Sequence, residues 1–330
     1  MRRIATLLVW LGFFIVPYAA LPADRLLGVH SARVMSQSMP WIAEEAGLFR
    51  KYDIEFPLVY IGSSPLATAA MLGGDGELLM DGGLGIVRAY VQGNTELVCI
   101  GGQKNILTQS ILAKPAIKRL EDLRGKKVGV TRIGSTTHYF ATEAFHKIGM
   151  EAGRDYTIIQ TGGAPEMLAA LSSGAIEAGT LAPPLDAQAI ALGFHYVVYG
   201  PDLRIPQVAV AFMTRRSTLA KRPQVLARFM RAMAEAAKIL HTDKDFTFKV
   251  LSKQLRVTDR KTFDAAYNVE IKVLEPRLTI RPEAFQAILD DVAQTDSRAK
   301  KIKPYDFIDG RFLDEMTKSG FFDRLWGGKS

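Results

Sequence analysis

The chain has 330 residues, 48% of them apolar and 23% charged, with a formal charge of +8. That length exceeds one typical hydrophobic core, so two lobes are expected. The charge is moderate and scattered; its one cluster, Lys300, Lys301 and Lys303, lacks interleaved aromatics and reads as a solvated face, which excludes a nucleic-acid partner.

In chain order, Arg2 and Arg3 come first, and an apolar run from Ile4 to Val16 follows. Pro17, Tyr18, Ala19 and Ala20 then lead to Ala23, just before Asp24 and Arg25. A basic start, a short apolar middle and small residues at the end form a secretory signal. Residues 1–23 are therefore expected to be cut away after Ala23, with Ala20 the second choice; a retained anchor is the rival reading. No later stretch approaches the ~20 apolar residues of a spanning helix. The remaining chain, about 307 residues with a charge of +6 once Arg2 and Arg3 are gone, is expected to be soluble and periplasmic. The single cysteine, Cys99, has no partner for an internal disulfide and lies far beyond the cut, so it is not a lipidated first residue. Within Leu97-Val98-Cys99-Ile100 it reads as a small core residue and not a nucleophile.

The chain echoes itself. Residues 62–83 align without a gap on 162–183, with Gly62, Pro65, Ala69, Ala70, Gly74 and Glu77 repeated as Gly162, Pro165, Ala169, Ala170, Gly174 and Glu177. A fainter echo puts Ala43, Glu45 and Ala46 opposite Ala141, Glu143 and Ala144. Chance similarity between Ala- and Gly-rich helices is the rival, but the order of elements is also shared. Each copy opens with an apolar strand, Leu26 to His30 or Lys127 to Thr131. A small-residue loop follows, Ser36-Gln37-Ser38 or Gly134-Ser135-Thr136-Thr137, and then a helix, Trp41 to Phe49 or Tyr139 to Ile148. The next strand spans Ile54 to Tyr60, whose apolar residues alternate as in a half-buried strand, or Tyr156 to Gln160. A second loop, Gly62-Ser63-Ser64-Pro65 or Gly162-Gly163-Ala164-Pro165, starts a helix, since proline suits a first turn and Ser64 is a good cap. That helix ends at Gly73-Gly74 or Ser173-Gly174. A short strand then closes at Asp81-Gly82-Gly83 or at Leu181-Ala182-Pro183-Pro184.

Strand–helix alternation predicts parallel sheets covered on both faces, and two copies predict two α/β lobes. Leu97 to Leu112 is apolar enough to cross from the first lobe to the second, and Gln207 to Met213 to cross back. Beyond Ser217 the pattern turns helical: Val225, Leu226, Phe229, Met230, Met233, Ala237 and Leu240 share one face, and Thr258–Leu274, Pro282–Gln294 and Asp309–Trp326 are further helical stretches wrapping onto the first lobe. The expected division is lobe I from 24–107 and 210–330, and lobe II from 108–209. Two crossings make a hinge about which the lobes close.

Ligands in open α/β sheets sit beyond the carboxyl ends of strands, where the small-residue loops fall. Four helix N-termini would point into the cleft, offering unpaired N–H groups and partial positive charge. The hydroxyls of Ser36, Ser38, Ser63, Ser64, Ser135, Thr136 and Thr137 can hydrogen-bond a polar ligand, and glycines such as Gly134 and Gly163 let backbone approach it. The rival reading of each is an ordinary turn or cap. Arg33 and Arg132 flank these loops as possible anion partners, and Asp81 can receive an amine or ring N–H unless it merely caps the next helix. Trp41, His138 and Tyr139 are candidates to stack on a ligand, Trp41 being the one better suited to packing on the sheet. The five histidines have no metal-ligand spacing, and no metalloprotease, dithiol, nucleophile-elbow or phosphate-loop motif occurs. No catalytic residue, metal or cofactor is therefore expected.

The stretches Trp41-Ile42-Ala43-Glu44-Glu45-Ala46-Gly47-Leu48-Phe49, Leu120 to Val130 (LEDLRGKKVGV) leading into Gly134-Ser135-Thr136, and Glu166 to Glu177 carry a family resemblance. The chain resembles the periplasmic binding proteins of ABC importers for aliphatic sulfonates, taurine and nitrate, a group that includes binders of a thiamine-pyrimidine precursor. The resemblance covers most of the mature chain and weakens beyond about residue 240. It implies a type II two-lobed fold, a monomer, a small-molecule ligand and an ABC permease in the inner membrane as partner. It implies ligand contact at Ser36, Gln37 and Ser38, at Ser63 and Ser64, at Asp81, Gly82 and Gly83, at Gly134 to Thr137, and at Ala182 and Pro183. The ligand itself, whether a sulfonate, carboxylate, nitrate-like ion or pyrimidine, stays open. Fungal pyrimidine-synthesis enzymes share this fold but use cysteine and histidine; this chain has no cysteine cluster, so an enzyme is the weaker alternative, and a sensory protein presenting its closed form to a receptor is another.

Overall fold

The computed structural model describes residues 23–327, so the expected leader lies outside the described residues except for Ala23. Twelve strands occur among them. In the first half these are β1 (Asp24–Arg25), β2 (Gly28–His30), β3 (Ile54–Glu55), β4 (Leu58–Tyr60), β5 (Leu78–Asp81) and β6 (Leu97–Ile106). In the second half they are β7 (Ser110–Ala113), β8 (Lys127–Val130), β9 (Thr157–Gln160), β10 (Ala178–Leu181), β11 (His195–Val198) and β12 (Pro206–Arg215). Apart from the short parallel pair β1–β3, they form two five-stranded sheets, ordered β4-β2-β5-β12-β6 and β9-β8-β10-β7-β11.

The two orders are one pattern. In each sheet the copy's first strand (β2 or β8) lies between its second (β4 or β9) and third (β5 or β10), all parallel. A single antiparallel strand, β12 or β7, then separates the third strand from the fourth, β6 or β11. The helices Ser64–Gly73 and Ala164–Ser173 occupy the same place in each copy, and each stops at a glycine with positive φ, 96° at Gly74 and 82° at Gly174. An L side chain is strained in that conformation, which is why the same residue ends both helices.

Each sheet is covered on both faces. In β5, Leu78 and Met80 join one apolar cluster and Leu79 joins the other; in β6, Val98 and Ile100 separate in the same way from Leu97 and Cys99. The helix Pro223–Thr242 lays Val225, Leu226, Phe229, Met230, Met233, Ala237 and Leu240 on the first cluster, and Phe229 meets Phe56 with ring centroids 4.9 Å apart. Burying a side chain of this size stabilises by about 1.5–3 kcal/mol. The second sheet is packed likewise by two clusters, one around Phe140 and Phe145, the other around Met167 and Leu171.

Local boundaries depart from the expectation where a breaker intervenes. The strand expected over Ile54–Tyr60 divides at Phe56-Pro57: β3 pairs with β1, while β4 joins the main sheet at its edge. Proline donates no ladder hydrogen bond, and edge positions tolerate that. The helix expected over Trp41–Phe49 becomes Met39–Glu45 and Leu48–Lys51, and the one over Asp309–Trp326 becomes Arg311–Lys318 and Phe321–Trp326. The crossing Leu97–Leu112 is β6 and β7 with a three-residue link, and Thr258–Leu274 narrows to Arg260–Glu270, capped by the Asp259 carboxylate accepting from the Thr262 N–H at 2.7 Å. Among the described residues no helix is long and apolar enough to cross a membrane.

Candidate functional site

The two sheets point the carboxyl ends of their parallel strands at each other. Between them is a cavity of about 60 Å³ lined from both sides and from the crossings. From the first lobe come Ser31, Ala32 and Val34 after β2, Ser36 and Gln37, Ser63 and Ser64, and Asp81 at the end of β5. From the second come Thr131, Ser135, Thr136 and Thr137 after β8, Ala164, Thr180 in β10 and Ala182 after it. Lys104, Gln109, Ala209 and Val210 belong to the crossings.

The lobes are in contact. The Met35 N–H donates to the Pro183 carbonyl at 3.2 Å, and an Arg88 guanidinium N–H to the Gly134 carbonyl at 3.1 Å. A Cβ added to Gly62 would lie 3.1 Å from the carbonyl oxygen of its repeat counterpart Gly162, and one added to Gly82 only 2.8 Å from Thr136 Oγ1. The repeated loops therefore face each other across the cleft.

Each wall has its own polar order. On the first lobe, Gln37 donates from Nε2 to Ser31 Oγ at 3.0 Å and accepts from the Ala32 N–H at 3.1 Å. Asp81 is buried; its carboxylate accepts from the Gly82 N–H at 2.8 Å and from Thr68 Oγ1 at 3.4 Å. Burial pushes this carboxyl above the ordinary carboxylate range, against the opposing pull of the hydroxyls of Ser64, Ser31 and Thr68 and of the Gly82 N–H. On the second lobe, Thr131, Ser135 and Thr137 form a triangle of hydroxyls at 2.9 to 3.0 Å, which caps the helix Thr136–His146 through Ser135 accepting from the His138 N–H at 3.2 Å. Two lining hydroxyls, Ser63 and Thr180, are buried with no hydrogen-bond partner. Buried polar atoms are nearly always paired, which makes unpaired hydroxyls on a cavity wall candidates for ligand contact.

The helices Ser64–Gly73, Thr136–His146 and Ala164–Ser173 each bring their first residue to the cavity. Ahead of the fourth expected helix stands a 3-10 turn, Met35–Gln37, which contributes Ser36 and Gln37.

Nine of the sequence-predicted contacts line the cavity: Ser36, Gln37, Ser63, Ser64, Asp81, Ser135, Thr136, Thr137 and Ala182. Ser38, Gly82, Gly83, Gly134, Gly163 and Pro183 are not among its lining residues. Gly82 and Gly163 are points of close approach, an added Cβ at the latter running into the Glu166 carboxylate and lying 2.8 Å from the Tyr60 hydroxyl. Arg33 lies outside the lining, its guanidinium 4.9 Å above the Tyr60 ring, and Arg132 is also absent from it. Trp41 packs edge-on against His30 at 5.5 Å, and Tyr139 packs into apolar clusters on both lobes, so neither stacks in the cavity; His138 does not line it either.

Sequence reasoning passed over Ser31, Lys104, Gln109, Thr131 and Thr180. For Lys104 a signal existed: a lysine inside a crossing strand otherwise free of charge. It is buried, donates to Thr108 Oγ1, and pairs with Glu270 at 2.5 Å, while Thr108 Oγ1 also donates to Glu270 Oε2 at 2.9 Å. Among the described residues no three His, Cys, Asp or Glu side chains gather into a metal site.

Two α/β lobes, each on a mixed sheet, joined by two crossings around a shared cavity are the architecture of the periplasmic-binding-protein fold. Solved structures agree on that fold. A protein of Bordetella bronchiseptica RB50 superposes with a TM-score of 0.81 at 18% identity, over 91% of this chain and 99% of its own. The alkanesulfonate-binding protein SsuA of Xanthomonas axonopodis pv. citri, solved with MOPS bound, gives 0.70 at 18% identity over 85% and 96%. The periplasmic nitrate-binding protein NrtA of Synechocystis PCC 6803 gives 0.70 at 15% identity over 90% and 89%. No curated protein sequence matches the chain. The profile of the NMT1-like family matches residues 34–252, well over half the sequence, and the chain belongs to that family.

Proposed function

We propose that the protein is the extracytoplasmic solute-binding component of an ABC importer, taking a small polar molecule into the cleft between its lobes and presenting the closed form to a permease. One observation carries this reading: a cavity shared by both lobes, with the buried hydroxyls of Ser63 on one side and Thr180 on the other left unpartnered. Two structural neighbours, an alkanesulfonate-binding protein and a nitrate-binding protein, support it. In this reading residues 1–23 are an export signal, lobe I is 24–107 with 210–330, lobe II is 108–209, and the mature protein is a periplasmic monomer. The contacts are the nine lining residues named above together with Lys104, Gln109 and Thr180. Cysteine-based catalysis is disfavoured, because burial pushes the Cys99 thiol up to about 12 and it faces the core of the first lobe.

The test is ligand-dependent stability. At about 100-fold excess over Kd, a true ligand stabilises by about 2.7 kcal/mol. We expect a thermal shift of that size from a member of a panel of sulfonates, carboxylates, nitrate and pyrimidines, or from the molecule that co-purifies and is identified by mass spectrometry. A panel without any shift, together with X-ray scattering that shows no compaction, overturns the reading.

A further inference from the structure

The charges around the cavity narrow what it holds. Two of its lining residues are ionisable as acid or base, Asp81 and Lys104. Lys104 already has a counter-charge in Glu270 at 2.5 Å, both side chains fully buried. Asp81 has hydrogen-bond donors around it but no cationic side chain, and Arg33 and Arg132 stay off the wall. Among the described residues the cavity thus offers no free cationic side chain to an anion, and holds a carboxyl on its first-lobe side.

The second-lobe side has the opposite sense. Two helices, Thr136–His146 and Ala164–Ser173, begin there with their N–H ends and partial positive charge and Thr180 Oγ1 adds a buried hydroxyl without a partner, whereas on the first-lobe side the one helix start, Ser64–Gly73, and the Ser63 hydroxyl share the wall with the Asp81 carboxyl. The two walls are therefore complementary to the two ends of a dipole. At about 60 Å³, and at 10–15 Å³ per water-sized site, the space holds about four to six non-hydrogen atoms.

We propose that the cavity selects a small dipolar molecule without net negative charge, with N–H donors facing Asp81 on the first lobe and an acceptor oxygen facing Thr180 and the Thr136 helix end on the second. This rests on the solute-binding reading and narrows it: simple anions, the cargo named for the structural neighbours, are disfavoured, because an anion would sit beside a buried carboxyl with no unpaired cation to offset it. The raised proton affinity of Asp81 fits the same picture, since a donor placed against it favours the ionised form that burial alone disfavours.

The experiment uses pairs of equal size that differ in the donor: glycine and glycolate, β-alanine and 3-hydroxypropionate, acetamide and acetate, with nitrate and methanesulfonate as bare anions. Binding to the exported full-length protein, freed of endogenous ligand, is followed by calorimetry and thermal shift. We expect the N–H member of at least one pair to bind tenfold or more tightly than its partner, and Asp81→Asn to reduce that preference to threefold or less. Nitrate, methanesulfonate or the hydroxy acids binding wild type as tightly as the N–H members would overturn this inference and leave the solute-binding reading intact. So would a co-purifying molecule that proves to be a bare anion. Failure of every probe, with no co-purifying molecule, overturns both. The wild-type comparison stands even where Asp81→Asn fails to fold, which its unliganded melting curve reveals.

Discussion

Lys104 is the residue on which the middle of the molecule depends. It sits on β6 at the edge of the cavity, with Glu270 from the helix Arg260–Glu270 and Thr108 from the next turn of the crossing closing a buried triad. Two charges taken out of water attract strongly, but the attraction does little more than offset their desolvation, so the pair adds little net stability while a broken pair is costly. Lys104→Met leaves the Glu270 carboxylate buried with only Thr108 and with Asp186 nearby. We expect it to destabilise by about 3–5 kcal/mol. Replacing both partners, Lys104→Met with Glu270→Leu, should recover most of that loss. Urea unfolding of the single and double variants measures both; a single variant within 1 kcal/mol of wild type would mean that solvent reaches the pair.

At the scale of elements, the short helix Leu185–Ala191 holds the second lobe against the first. It follows β10, yet Ala187 packs on the first-lobe core and Asp186 lies near Lys104 and Glu270. Burial raises the Asp186 carboxyl to about 6, with hydrogen bonds from the Ala187 N–H at 2.7 Å and the Tyr196 hydroxyl at 3.1 Å opposing and Glu270 adding to the rise. A folded-state value above the unfolded one favours the protonated form in the fold. That stabilisation is complete below about pH 4 and lost as pH rises through about 6, for a total of about 3 kcal/mol. Asp186→Asn keeps the acceptor for Tyr196 and removes the titration. It should melt higher than wild type at pH 8, with the difference closing as pH falls to 4. A difference that does not change with pH would assign the effect to packing alone.

The same scale explains what the sequence made legible. The helices Ser64–Gly73 and Ala164–Ser173 and the strands β5 and β10 follow from local punctuation, a Gly-x-x-Pro start and a Gly stop four residues before the strand, and these recur in both copies. The loops at Ser36, Ser63, Asp81, Ser135 and Ala182 follow for the same reason. The strand β11 and the helices Leu185–Ala191 and Lys244–Leu255 carry no such marks: β11 is half-buried throughout, and its place beside β7 is set by pairing between residues as far apart in the chain as Ala113 and His195. Thr180, Gln109 and Lys104 were hidden likewise. Each lies in or beside a strand that pairs with one distant in sequence, β6 with β12 and β7 with β10 and β11, so their meeting depends on sheet order and not on local pattern.

The whole molecule is a pair of lobes that exchange one strand each: the antiparallel member of either sheet, β12 or β7, is part of a crossing. Any rotation of one lobe against the other is thus concentrated at residues 106–110 and 198–206, between the crossing strands and their sheets, where the Leu107 N–H donates to the Ile205 carbonyl at 3.0 Å. A tight point between the lobes lies beside the crossing strand β12, where Gly82 meets Thr136. Its φ of −75° suits any residue, so glycine is needed there for space: an added Cβ would lie 2.8 Å from Thr136 Oγ1 and 3.3 Å from the Ala209 carbonyl oxygen. Open lobes remove the first contact and keep the second. Gly82→Ala should therefore alter unliganded stability by less than about 1 kcal/mol, while holding the liganded protein in a more open form, seen as a larger radius of gyration in X-ray scattering. Thr136→Ala in the same chain removes the hydroxyl that clashes and should restore compaction. If the double variant stays open, the obstruction lies at the Ala209 carbonyl; if the single variant closes fully, the cleft has slack at this point and closure is limited elsewhere along the facing loops.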